Sequence, residues 1–156
     1  MTSPPVVCNA SPLIALEQIA HLPILKALFG TVLAPPAVVE EVAPDFVLPE
    51  WIEARPLVQG IGPLVLGASL GPGESEAISL ALEVRARLIV LDDRPARRLA
   101  QALKLPVIGT LGILLAGKRQ GLLRELKPCL NGLLAHDFRV APSLYAQVLR
   151  DAGEGG

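Results

Sequence analysis

Aromatic residues are scarce. Phe29, Phe46, Trp51, Phe138 and Tyr145 lie scattered through a chain of 156 residues that is 51% hydrophobic and only 3% aromatic. The core must therefore be aliphatic, and a protein that binds single strands by stacking bases along an aromatic platform is not expected. Cysteine is equally sparse. Cys8 and Cys129 are far apart with no metal-type spacing, which fits a reduced, cytoplasmic protein with buried thiols. His21 and His136 are isolated, so no His/Cys set suits zinc, and Ser75 and Ser79 lack an imidazole partner for nucleophilic chemistry. Long unbroken apolar runs are missing too. Despite a mean hydropathy of +0.50, Gly and Pro interrupt the uncharged stretches, as in Pro56–Gly73, so no membrane span is expected. The amino terminus has no basic segment of the kind that opens a signal peptide.

What remains is enough chain for one domain with a proper core, expected over residues 1–150 with a frayed tail at 151–156. The net charge of −1 argues for nothing by itself, but its distribution is uneven. Residues 1–84 carry two bases against nine acids, and residues 85–156 carry twelve bases against six acids. An acidic cluster beside a basic surface for a polyanion would produce such a split, and so would two ordinary solvated faces.

Short apolar runs alternate with helical patterns along the chain. Pro5-Val6-Val7-Cys8 reads as a buried strand running into a helix capped by Ser11, with Pro12 in its first turn. A short helix through Leu22–Leu28 closes at Gly30, and Thr31–Ala34 is a second strand. Pro35-Pro36 opens a helix over Ala37–Val42. Residues 44–72 are the least regular, with an irregular strand at Trp51–Val58 and a loop or loosely helical insertion after Gly60. Gly73 starts a helix reaching Leu82. Leu88–Leu91 is the most hydrophobic strand, followed by a helix over Pro95–Lys104. Pro106–Ile108 is the last strand. A helix begins at Gly109-Thr110 and ends at Lys118–Gly121, and Leu122–Leu134 and Pro142–Leu149 form two closing helices. Buried strands alternating with helices predict an α/β fold, a parallel sheet of four or five strands flanked by helices in three layers.

Oxygen-bearing side chains recur where these strands end and helices begin: Asn9, Glu40 and Glu41, Glu74 and Glu76, Asp92 and Asp93. Each has an ordinary reading. Asn9 suits a turn, Glu74 and Glu76 suit the first turn of a helix, and Asp92 and Asp93 suit a helix cap. Each also stands where an open α/β sheet binds ligands, at the carboxyl ends of its strands. Clustered carboxylates repel one another unless a cation is present, and oxygen-only donors are hard ligands suited to Mg²⁺ or Mn²⁺.

In order, Val-Val-Cys-Asn9-Ala-Ser11-Pro-Leu-Ile, Pro-Pro-Ala-Val-Val-Glu-Glu41-Val, Gly73-Glu74-Ser-Glu76-Ala-Ile, Leu-Ile-Val-Leu-Asp92-Asp93-Arg and Gly109-Thr110-Leu-Gly resemble the PIN domain. The closest resemblance is to the short prokaryotic branch related to VapC toxins, and it runs from Val6 to about Tyr145. It implies a Mg²⁺- or Mn²⁺-dependent endoribonuclease, the toxin of a toxin–antitoxin pair in some members. The site it implies comprises Asn9, with Ser11 as the associated hydroxyl, then Glu41, Glu76 and the Asp92/Asp93 pair. Asn9 stands where the family pattern has its first aspartate, so one anionic ligand is replaced by a neutral one. RNA would be the substrate, with Arg94, Arg97, Lys118 and Arg119 available to its backbone. An antitoxin protein and a second copy of the chain, as homodimer or higher homo-oligomer, would be partners. The other reading of the same pattern is a catalytically weak PIN-like module that binds nucleic acid or a protein.

Overall fold

The computed structural model describes residues 3–155; Met1, Thr2 and Gly156, which belong to the expected domain and tail, lie outside the described residues. Five short strands, β1 (Val6–Cys8), β2 (Val32–Ala34), β3 (Ile52–Ala54), β4 (Leu88–Val90) and β5 (Val107–Ile108), form one sheet in the order β3-β2-β1-β4-β5. Every pairing is parallel. Helices cover the sheet, making the three-layer α/β architecture expected from the alternation of elements. They are α1 (Ala10–Gln18), α2 (Pro23–Phe29), α3 (Pro36–Val42), α4 (Pro63–Gly67), α5 (Pro72–Val84), α6 (Arg94–Ala102), α7 (Thr110–Arg119), α8 (Lys127–Ala135) and α9 (Pro142–Asp151).

The strands are apolar throughout rather than alternating because both faces of a parallel sheet are covered. Val6, Val7 and Cys8 of the central strand are essentially inaccessible, as are Ile89, Val90 and Leu91. The large fully buried side chains are all Leu or Ile, including Leu13, Leu16, Leu25, Ile78, Leu80, Ile113 and Leu114, which is how the scarcity of rings is accommodated. No single helix among the described residues is long and apolar enough to cross a membrane.

The structure departs from the sequence reading at several boundaries. Helix α1 begins at Ala10, so Asn9 rather than Ser11 is its N-cap residue; Asn9 has extended backbone and makes no side-chain capping bond. Helix α6 begins at Arg94 because Asp93 accepts from the Ala96 N–H at 3.1 Å, fixing the start one residue earlier than Pro95. It ends at Ala102, before the left-handed Lys104. Strand β3 is confined to three residues, and the stretch before Lys127 is a turn rather than the first part of a closing helix.

The carboxyl-terminal turn is also not a loose end. Gly153 adopts φ +77°, and the Glu154 N–H returns to the Leu149 carbonyl at 2.7 Å. The Glu154 carboxylate then accepts from the Leu126 N–H at 2.7 Å and the Lys127 N–H at 3.1 Å, and pairs with Lys118 Nζ at 3.0 Å. It thus serves amides at the start of α8 that the helix cannot satisfy itself. Desolvation pushes the Glu154 carboxyl up, but the Leu126 amide, Lys118 and the Lys127 amide outweigh it and hold the group below its usual value. A carboxyl depressed in the folded state stabilises above its unfolded pKa, and the contribution is lost as pH falls through the folded value. Glu154→Ala is expected to cost about 1 kcal/mol near neutral pH, as for a lost helix cap. In urea titrations the gap from the wild type should close as the pH falls below the ordinary glutamate range.

Candidate active site

In the strand order, the chain first runs outward from β1 to β2 and β3, then returns to the other side of β1 with β4 and β5. The reversal lies between β1 and β4. At such a switch point the connections leave in opposite directions and open a crevice at the carboxyl ends of the strands. The Asn9 N–H donates to the Val90 carbonyl at 3.0 Å, extending the β1–β4 ladder by one bond and setting Asn9 at this crevice.

Asn9 is 1% exposed, and its side-chain Oδ1 has no hydrogen-bond partner. An orphaned buried acceptor normally costs about 1–3 kcal/mol, so its retention requires an explanation. Its surroundings supply one. A Cβ placed on Gly73 would lie 3.2 Å from Asn9 Oδ1 and would strike Glu41 Oε1. Glycine in the first turn of α5 is what lets the amide of β1 and the carboxylate of α3 approach the same backbone. The Glu41 carboxyl is raised by desolvation and by the charge of Glu74, with the Gly73 amide pulling the other way. The structure therefore brings together Asn9, Glu41 and Glu74, two mutually repelling carboxylates beside an unused amide oxygen.

The remaining expected residues are held differently. Glu76 Oε1 accepts from the Ala37 N–H at 2.9 Å, binding α5 to the start of α3 rather than facing Asn9 with both oxygens. Asp92, at the end of β4, accepts from the Thr110 N–H at 2.8 Å and its hydroxyl at 2.6 Å. It thereby anchors the start of α7, and Thr110 is fully buried. Asp93 caps α6. Ser11 is exposed in the first turn of α1. Even so, Ser11, Glu74, Asp92 and Asp93 all line one cavity of about 720 Å³. Glu40 is exposed. Gly109 gives a second close approach: a Cβ there would lie 2.9 Å from Asp92 Oδ1 and 2.6 Å from Arg97 Nη1.

Glu74 is the residue the motif reading passed over in favour of Glu76. The two are two positions apart on a helix, hence about 200° around its axis. Val38 and Val42 of α3 are buried, and α3 packs on α5; that packing turns Glu76 toward the α3 amide and leaves Glu74 at the crevice. Lys118, one of the cations considered for a polyanion, is occupied by Glu154 and by the Arg124 carbonyl at 2.9 Å.

The donors suit a hard cation: all are oxygens, two are anionic, and a third is neutral and unsatisfied. No three His, Cys, Asp or Glu side chains among the described residues converge on one point, so the amide is part of any set. Two tests follow. Glu41→Gln should stabilise the metal-free protein at neutral pH, by less than about 1 kcal/mol after solvent screening. Millimolar Mg²⁺ or Mn²⁺ should raise the wild-type melting temperature, and should do so less in Glu41→Gln. A wild-type temperature indifferent to both ions would rule out a cation at this place.

Among known proteins, residues 5–154 match a family model described as a PIN domain. No curated protein matches the chain.

Proposed function

This chain belongs to the PIN-domain family and has its nuclease-type fold, and from that footing we propose that it is a Mg²⁺- or Mn²⁺-dependent endoribonuclease. The observation that carries the reading is the buried, unpartnered Asn9 Oδ1 at the sheet's switch point, with Glu41 and Glu74 gathered beside it. PIN domains are generally dependent on a divalent metal, and the oxygen donors here fit one. Asn9, Glu41 and Glu74 would hold the ion, with Asp92 and Asp93 lining the cavity that Glu74 also borders. When bound, the ion supplies charge neutralisation at a phosphodiester and acidifies water.

The protein's own groups do the positioning. Asp92, locked through both oxygens to Thr110, keeps the end of β4 and the start of α7 in fixed register. Glu76 does the same for α3 and α5. Both are second supports that hold the Glu41, Glu74 and Asn9 ligands at their places. Ser11, exposed at the rim, offers a hydroxyl to a phosphate oxygen. Because Asn9 is uncharged, the site has one anion fewer than a carboxylate at that position would give, and ion affinity falls accordingly.

One observation favours the weaker module as a second reading: Glu76, Asp92 and Asp93 each spend oxygens on backbone amides. Cleavage of RNA with Mn²⁺ and with EDTA separates the two. An active enzyme should cleave with Mn²⁺, stop with EDTA, and lose at least a hundredfold in Glu74→Gln, while Glu76→Gln loses less. Cleavage that persists in EDTA and in Glu74→Gln would defeat the metal-dependent reading. No cleavage by the wild type, with strong cleavage by Asn9→Asp, would establish the weak module. A role as the toxin of a toxin–antitoxin pair belongs to the same proposal and rests on the resemblance of the sequence motifs alone.

A further inference from the structure

We propose that the groove beside the carboxylate edge is a nucleotide subsite, in which Phe138 takes a base and Arg94, Arg97 and Arg139 take the adjoining phosphate of single-stranded RNA. The inference rests on the ribonuclease reading and supplies the wall that holds its substrate. The cavity that contains Glu74, Asp92 and Asp93 continues to Arg97 and Phe138. It shares Arg94, Asp137, Phe138, Arg139 and Leu144 with a second cavity of about 740 Å³. Carboxylates and guanidiniums thus share one groove, Arg97 beside Asp92 and Arg94 and Arg139 around Phe138, Leu144 and Asp137.

Each part of that wall has a fixed or available group. Arg97 Nη1 donates to the Leu91 carbonyl at 3.0 Å, which orients the guanidinium at the end of β4 while leaving its other donors free. The ion pairs among the described residues are Arg55–Glu53 and Lys118–Glu154, so none of the three arginines is paired with a carboxylate. Phe138 is half-buried and packs on the core. Its N–H donates to the Leu133 carbonyl at 3.0 Å across the left-handed Asp137, which fixes the main chain of Phe138 just beyond α8. Leu134 and Leu144, 42% and 44% exposed, extend the apolar surface on either side. An apolar floor rimmed by planar cations matches a base joined to a phosphate better than it matches a bare anion. Scattered rings exclude a platform for many bases, but one ring serves one base. A duplex would have to unpair to deliver it, so the occupant is single-stranded.

The test is binding of a fluorescein-labelled single-stranded RNA hexamer in EDTA, followed by anisotropy, alongside cleavage with Mn²⁺. Phe138→Leu keeps the packing and removes the ring; it should weaken binding about tenfold, the order of one lost stack, whereas Phe138→Trp should bind as well as the wild type. Arg139→Ala should weaken binding and reduce the salt slope by about 0.7. The matching duplex should bind less well than the single strand. Wild-type protein that does not bind the hexamer, Phe138→Leu that binds like the wild type, or equal binding of the duplex would each overturn the subsite. If the wild type cleaves and Phe138→Leu both cleaves and binds unchanged, the subsite fails while the ribonuclease reading stands. If binding needs the ring and no cleavage occurs, the subsite stands and that reading fails.

Discussion

The parallel pairing of β1 with β4 is the constraint on which the remainder of the molecule depends. Val6, Val7 and Cys8 face Leu88, Ile89 and Val90 in register, and Asn9 adds one more bond to the Val90 carbonyl. That ladder joins residues some eighty positions apart and creates the only reversal of strand order in the sheet. It delivers an amide and a carboxylate to the same edge, ahead of helices whose starts are tied down by side chains from their neighbours. Burial reinforces it: Cys8 lies wholly inside the sheet, and desolvation, then the nearby Asp92 charge, pushes its thiol well above the usual value. Cys8 is consequently a packing residue and not a nucleophile.

Carboxylates do two kinds of work at this edge. Asp92, Asp93 and Glu76 accept from backbone amides: Asp92 fastens the start of α7 to the end of β4, Asp93 caps α6, and Glu76 ties α3 to α5. Glu41 and Glu74 are left to repel one another. The first group sets the positions of the helices that carry the second.

Much of this was legible in the sequence. Apolar runs such as Leu88–Leu91 cannot be anything but buried, and their alternation with Pro-opened helices specifies a covered parallel sheet. The ordered acidic motifs located the edge. Which glutamate of the Glu74/Glu76 pair faces the crevice was not legible, because it depends on how α5 rotates against α3, a tertiary property with no local signal. The same holds for Asn9: an Asn before a helix reads as a turn or cap residue, and only the folded structure shows that its oxygen caps nothing and lies beside Gly73. Glu154, in a run of glycines, gave every sign of a loose end; its partners lie 28 and 36 positions away, beyond any window of sequence pattern.

The Glu154 clamp bears on the order in which the protein is built. During synthesis, β1 and β4 can pair as soon as residue 90 is free, and the carboxylate edge can assemble with β5 and α7. The Leu126 and Lys127 amides at the start of α8 have only water to donate to until residue 154 has left the ribosome. Phe138 follows the far end of α8, so a nascent chain can assemble its acidic edge before the turn that carries Phe138 is closed against the rest of the fold. Closure of that turn is thereby coupled to synthesis through residue 154, and it comes late because its partner is made late, not because its loop is long: 28 residues separate Leu126 from Glu154, against some eighty between β1 and β4.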